Sequence, residues 1–192
     1  MAANPKYQTR LREEVRAALP SPSAGKDASF DLAGVLDTLP LLNAICNETL
    51  RLYPTVPTTM RMAMRDTTIG DQFIPAGTKI YLSPWGINRS PHIWGDDAND
   101  FVPERWIDAA TGKANNTGGQ SSNYSVLTFL HGPRSCIGEK FAKGELRALM
   151  AVFVGGFEME MADLNEVPVV AGAITTKPRD GMRLRLKVLD GW

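Results

Sequence analysis

Pro54 constrains this chain more than any other residue, because the hydrophobic period changes across it. Before it, "PLLNAICNETLRLY" spaces its apolar residues as a helix does, and the proline forces Tyr53 into extended geometry. After it, Met60, Met62 and Met64 alternate with Arg61, Ala63 and Arg65, the period of a strand. Helices and strands must therefore share one chain. Residues 5–19 place Tyr7, Leu11, Val15 and Leu19 on one helical stripe, stopped by Pro20 and Pro22 and followed by a polar loop, "SPSAGKDASFD". Thr38 can cap the helix that carries Pro40 in its first turn. Turns at "GDQ" and "PAG" carry the strand pattern into a small antiparallel sheet ending at Lys79–Ser83.

The stretch "SPWGINRSPHIWGDDANDFVPERWID" has too many breakers for a regular element and predicts short helical turns with coil. Residues 112–123 form the most loop-like segment and the one expected to be most mobile. "EKFAKGELRALMAVFVGGF" predicts a helix that buries Phe141, Leu146, Leu149, Met150 and Phe153. At the end, Met182, Leu184, Leu186 and Val188 alternate with Arg183, Arg185 and Lys187 as a last strand. There is no internal repeat, and the expected fold class is α+β.

Lys plus Arg equals Asp plus Glu at 21 each, so no overall field points to nucleic acid. Two cysteines, Cys46 and Cys136, make no disulfide framework and fit a reducing compartment. The N-terminal stretch has no continuous apolar run, and residues 148–157 are too few to span a bilayer. The chain by itself is expected to be soluble and cytoplasmic.

Cys136 lies in "FLHGPRSCIG". A disulfide with Cys46 has no oxidising composition behind it. A zinc site has only His92 and His131 to draw on, at no common spacing. A phosphatase-like loop needs an arginine six residues on, where Ala142 stands. A buried structural cysteine is the plainest alternative, and the neighbours argue against it. Gly132 and Gly138 remove side chains on either side of the thiol. A predicted helix N-terminus follows and favours thiolate over thiol. Arg134 offers a fork for a carboxylate, and Phe129 an aromatic cover. These features together describe the proximal side of a haem, with Cys136 as the iron ligand.

The run matches F-x-x-G-x-R-x-C-x-G at every fixed position and so resembles the haem-thiolate signature of the cytochrome P450 family, with fungal and microsomal members in mind. "ETLR" (Glu48 to Arg51) matches the family's E-x-x-R, and "FVPERW" resembles its P-E-R-F region with Trp106 in place of phenylalanine. The resemblance implies that Glu48, Arg51 and Arg105 form a buried charge network behind the cysteine loop, a structural triad. It also implies that Arg61 supplies a second arginine for a haem propionate. "NPKYQTRLREEV" looks like the helix preceding E-x-x-R, and "NRSPHIWGDDANDF" like the approach to the P-E-R motif. The likeness covers residues 1–192 as one partial domain, the C-terminal part of the P450 fold.

What the resemblance implies about function follows from this. The expected cofactor is heme b, iron protoporphyrin IX, held through Phe129, Gly132, Arg134, Cys136, Gly138 and Arg61. The expected activity is O2-dependent hydroxylation of a small organic substrate, with electrons from NADPH-cytochrome P450 reductase. Lys140, Lys143 and Arg147 share one helical face that can meet an acidic donor. A complete family member is more than twice this length. The oxygen-activating A-G-x-[ED]-T helix is not found, and "TVPTTMR" supplies only one wall of the substrate pocket. A haem-binding remnant without turnover is therefore the alternative. The full-length parent is expected at the cytoplasmic face of the endoplasmic reticulum membrane, attached through its N-terminal part.

Overall fold

Proline opens most of the helical segments in the computed structural model, which describes residues 1–21, 30–172 and 174–192. Helix α1 (Pro5–Ala18), α3 (Pro40–Leu52), α4 (Pro84–Ile87), α5 (Pro91–Trp94) and the 3₁₀ turn Pro103–Trp106 each carry proline in the first turn. Its missing N–H costs nothing there, and its fixed φ suits the start of a helix. Helix α2 (Leu32–Thr38) begins instead at Asp31, whose carboxylate accepts from the Gly34 N–H. Helix α6 (Glu139–Gly156) follows the Cys136 run directly. The polar loop expected after Pro20 lies for the most part outside the described residues.

Thr38 does not cap α3. It ends α2, and its hydroxyl donates to Val35 O. The Glu14 carboxylate of α1 takes the cap instead, accepting from the Leu41 and Leu42 N–H groups at 2.9 and 2.8 Å. A carboxylate at the positive helix end is favourable by charge as well as by bonding.

The strands form two-stranded antiparallel ladders. β1 (Thr59–Met62) pairs with β4 (Lys79–Leu82), and β2 (Thr67–Ile69) with β3 (Gln72–Ile74). β5 (Phe157–Met161) pairs with the last strand, β8 (Leu184–Val188), and β6 (Val170–Ala171) with β7 (Lys177–Pro178). The single sheet expected between residues 60 and 83 is thus two ladders. The mixture is α+β as the period change requires. Among the described residues no helix is long and apolar enough to cross a membrane.

The main core joins α1, α2, α3, α6 and β5 through Leu11, Val15, Leu36, Leu42, Ile45, Ala151, Val154 and Met159. Gln8 of α1 clips β5 in both directions, donating to Met159 O and accepting from Met159 N. Arg12 and Arg16 reach across to the end of α6. Arg12 donates to Val154 O, Arg16 to Gly155 O, and Leu189 N to Gly156 O. Three carbonyls left without helical partners are satisfied in this way. A smaller cluster of Ala44, Trp94, Ala98 and Trp106 ties α3 to the proline-rich stretch.

Helix α6 is turned differently from the expectation. Leu146 and Met150 are partly buried, but Phe141, Leu149 and Phe153 are 75, 52 and 42% exposed. Helix α6 is apolar on more than one face, and the face that meets α1 and α3 carries Ala151 and Val154. Nothing described covers the other. The segment 112–123 is also less free than its composition suggests. Asn115 donates to Arg105 O and accepts from the Thr117 and Gly118 N–H groups. Gly118 sits so close to Trp94 that a Cβ there would lie 2.7 Å from the indole.

Candidate functional site

Helix α3 sets out the site from both of its faces. Glu48 and Arg51, three residues apart, point to the same side and are fully buried. Arg51 donates to both Glu48 oxygens, Nε to Oε2 at 2.7 Å and Nη2 to Oε1 at 2.8 Å. Its remaining donors reach Asn88 O, Ala98 O and Asp100 O at 2.7, 2.6 and 3.0 Å. All five guanidinium N–H groups are used, the condition for keeping such a charge in the interior. Arg105 brings a second cation to Glu48 Oε1 at 3.2 Å and also pairs with Asp97 at 3.1 Å.

Two further donors complete the carboxylate, Val102 N–H and the Trp106 indole, each at 2.8 Å. Trp106 therefore does something phenylalanine cannot. Burial alone pushes the Glu48 carboxyl up, but the bonds from Arg51, Trp106 and Val102 outweigh it and hold the group below its usual value. Trp94 lies under both arginines, 4.8 Å from the Arg51 guanidinium and 5.6 Å from that of Arg105. The residues of "ETLR" and "PERW" thus meet in one saturated cluster.

The Cys136 run lies beyond the C-terminal end of α3. Its backbone reverses at Leu130 (φ 59°) and at Gly132 (φ 78°). Leu130 is the only non-glycine residue at positive φ among those described, a conformation worth about 1–2 kcal/mol of strain for an L-residue. Gly132 is needed for that φ, since a Cβ there would meet nothing within 4 Å. The reversal lets Cys136 N–H donate back to Phe129 O at 2.8 Å. A Cβ on Gly138 would stand 3.8 Å from Cys136 Sγ, ordinary contact, so space around the thiol is ample.

Cys136 is exposed and Cys46 buried, so the structural-cysteine reading belongs to Cys46 alone. Burial pushes the Cys46 thiol up to about 12, which keeps it protonated near neutral pH. Cys136, Arg134, Phe129, Leu130, Leu50 and Val56 border a cavity of about 260 Å³ whose lining is chiefly apolar. Arg134 has no acidic partner among the described residues. Phe129 also borders a second cavity of about 330 Å³ on the side of His131, Glu139 and Lys143. Arg61 is not on the first cavity's wall. Its Nη1 donates to Thr59 Oγ1 and Met60 O, and Thr59 is the wall residue.

The basic trio of α6 is not a free face. Lys143 pairs with Glu139 at 2.7 Å and Arg147 with Asp37. Both stand on the side that packs towards the rest of the chain, while Phe141 and Leu149 point out, the reverse of the expected orientation. Lys140 is exposed and has no ion pair among the described residues.

Sequence reasoning missed Asn88 and Thr128. Asn88 is fully buried, donates to Arg51 O and Thr128 Oγ1, and accepts from Leu127 N–H. Thr128 stands just before the signature run, and Asn88 opens the stretch that approaches the P-E-R motif without any role that its pattern assigns. The signal was indirect: a helix ending at Tyr53–Pro54 must find partners for its last carbonyls elsewhere.

Among known proteins, residues 1–182 match the model of the family described as Cytochrome P450. The chain is 46% identical to cytochrome P450 monooxygenase sphH of Aspergillus fumigatus over all of its own length and 35% of that protein. It is 44% identical to cytochrome P450 monooxygenase ptmK of Penicillium ochrochloron, covering 98% of this chain and 36% of the relative. To a cytokinin hydroxylase of Arabidopsis thaliana it is 36% identical over 99% of this chain and 34% of the relative. The chain spans about a third of the length of these curated relatives. With the signature run, the E-x-x-R pair and the P-E-R turn all within the matched span, this chain belongs to the cytochrome P450 family.

Proposed function

We propose that this chain is the haem-thiolate part of a monooxygenase that uses O2 to hydroxylate a small organic substrate, with Cys136 as the iron ligand. The observation that carries the reading is the join between two features. An exposed thiol stands at an apolar cavity beside an unpaired arginine, and the segment before its loop is joined through Asn88 to a saturated charge cluster.

The residues fit the cofactor that the family implies. Iron protoporphyrin IX offers an apolar ring, two carboxylates and a metal, and the cavity answers with an apolar lining, the free Arg134 fork and the Cys136 thiol. When bound, the haem supplies the one-electron and oxygen chemistry, which thiolate ligation favours by donating electron density. The chain's own part is to bind and orient. Cys136 Sγ holds the metal, Arg134 takes a carboxylate, and Phe129 covers one side. Leu50, Val56 and Leu130 keep water from the ring. Arg61 is the second carboxylate partner. Its guanidinium contacts only Thr59 Oγ1 and Met60 O, so it has no competing anion among the described residues.

Electrons come from NADPH-cytochrome P450 reductase at the Cys136 side. Arg134 is taken up by the haem carboxylate, and Lys140 is the cation of the α6 trio without an acidic partner among the described residues, so Lys140 rather than Lys143 and Arg147 meets an acidic donor. The whole protein works at the cytoplasmic face of the endoplasmic reticulum membrane.

The test is spectroscopic. Protein loaded with haem, reduced and exposed to carbon monoxide should give the thiolate-type spectrum. Cys136→Ala should lose it and Cys46→Ala should keep it. The opposite pattern would overturn the assignment of the ligand, and product formation with reductase and NADPH separates a working oxygenase from a haem carrier.

A further inference from the structure

The end of α3 shows an unusual completeness. A helix leaves its last four carbonyls without helical partners. Here Thr49 O accepts from Tyr53 N–H, and the other three are taken by side chains from elsewhere in the chain. Thr128 Oγ1 donates to Leu50 O at 2.8 Å, Asn88 Nδ2 to Arg51 O at 3.1 Å, and Arg89 Nε and Nη2 to Leu52 O. Two of these groups also bond each other, since Asn88 Nδ2 donates to Thr128 Oγ1 at 2.9 Å. The Asn88 Oδ1 accepts from Leu127 N–H at 2.8 Å, and its backbone oxygen accepts from Arg51 Nη1. One fully buried asparagine therefore touches the charge cluster through its backbone oxygen, and the helix end and the segment that leads into the Cys136 run through its side-chain amide.

We infer that Asn88 and Thr128 are positioning residues that fix the height of the Cys136 loop against the carbonyl end of α3. The inference rests on the haem-thiolate reading for its consequence, but not for its geometry. Phe129 O accepts the Cys136 N–H, and Thr128 is the residue before it, so the latch lies one peptide from the bond that aims the thiol. The charge cluster does not reach this far on its own. Among the described residues, neither Glu48 nor Arg105 bonds any residue of 127–136. The Asn88–Thr128 pair is the link between the buried triad and the ligand loop. With the latch open, the loop keeps its turn at Leu130 and Gly132 but loses its fixed distance from α3. A Cys136 side chain aimed less firmly would hold the metal as thiolate less well, and protonation of the sulfur to a neutral thiol, or water in its place, would compete with that role.

Thr128→Val tests this with the shape conserved and the hydroxyl removed, and Thr128→Ser restores the hydroxyl. In the reduced carbon monoxide complex, Thr128→Val should lower the ratio of thiolate-type to thiol-type spectrum at least about fivefold, the change that one of its two lost hydrogen bonds carries alone, and Thr128→Ser should match the parent. In haem-free protein, amide exchange across residues 127–136 should quicken at least about fivefold in Thr128→Val while the exchange of α3 itself stays unchanged. Should Thr128→Val fail to fold, Thr128→Ala leaves room for water at Leu50 O and carries the same two measurements. A Val variant with the parent's spectrum and the parent's loop exchange overturns the latch. Failure of the parent itself to give a thiolate-type spectrum overturns the haem-thiolate reading instead, and the exchange measurement then still decides the latch.

Discussion

Removing the Glu48 carboxylate takes the partner from five donors at once: Arg51 Nε and Nη2, Arg105 Nε, Val102 N–H and the Trp106 indole. In Glu48→Ala, Arg51 keeps its three carbonyl partners and so stays inside as an unbalanced cation. Breaking a buried pair from one side costs about 3–5 kcal/mol, and each stranded neutral donor adds about 1–3 kcal/mol. Against a typical domain stability of about 5–15 kcal/mol, little folded protein should remain. Arg105→Ala is a different case. Arg105 is 10% exposed, and its second partner, Asp97, is 48% exposed and can turn to water. Glu48 would keep Arg51, Val102 and Trp106, so the loss should be about 1.5–3 kcal/mol, one hydrogen bond to a charged group. Arg51→Ala should fall with Glu48→Ala, since it strands three buried carbonyls and most of the charge balance. Chemical unfolding of the three variants, with soluble yield and haem content, measures the order. Equal losses for Arg105→Ala and Glu48→Ala would refute the argument, as would a Glu48→Ala protein within about 1 kcal/mol of the parent, the range of an ordinary substitution.

Trp106→Phe keeps a ring beside Trp94 but removes the indole N–H from Glu48, so stability should fall by about 1.5–3 kcal/mol in urea unfolding. An unchanged midpoint would mean that the N–H carries nothing. Tyr7 is raised from 10.0 to about 12 by burial and then by its bond to Glu104. A raised folded value gives stability that is complete below pH 10 and is lost as pH rises towards about 12, and Tyr7→Phe should flatten unfolding curves in that window alone. Parallel pH profiles for parent and variant would contradict the bond's role.

How far the sequence could be read depended on where each interaction is encoded. Glu48 and Arg51 are three residues apart on one helix, so their pairing follows from helix geometry. The joining of Arg105 to them came from the family pattern, because no local rule connects residues 57 positions apart. No local pattern singles out Arg12 and Arg16 of α1, yet both cap the end of α6. The turn of α6 is not set by its own sequence, because its apolar residues occupy more than one face. Periodicity then ranks Phe141 and Leu149 equal to Ala151 and Val154, and only the position of α1 and α3 decides between them.

Pro54 held more information than its role as a helix stop. A helix that ends in glycine closes its own carbonyls, because the N–H groups just past the end fold back onto the last turn. Pro54 follows the last α3 residues and has no N–H to give. Only Tyr53 N–H can turn back, and it reaches a single carbonyl, Thr49 O. Leu50, Arg51 and Leu52 are left with oxygens, buried at Arg51 and partly buried at the other two, that need donors from outside the helix. Asparagine, threonine and arginine side chains are among those that can supply them, and the chain places Asn88, Arg89 and Thr128 there. The proline that ends the helical period therefore also requires distant residues to pack onto the end of α3. The segment leading to Cys136 is one of those that answers, which binds the position of the thiol to the place where the helix stops.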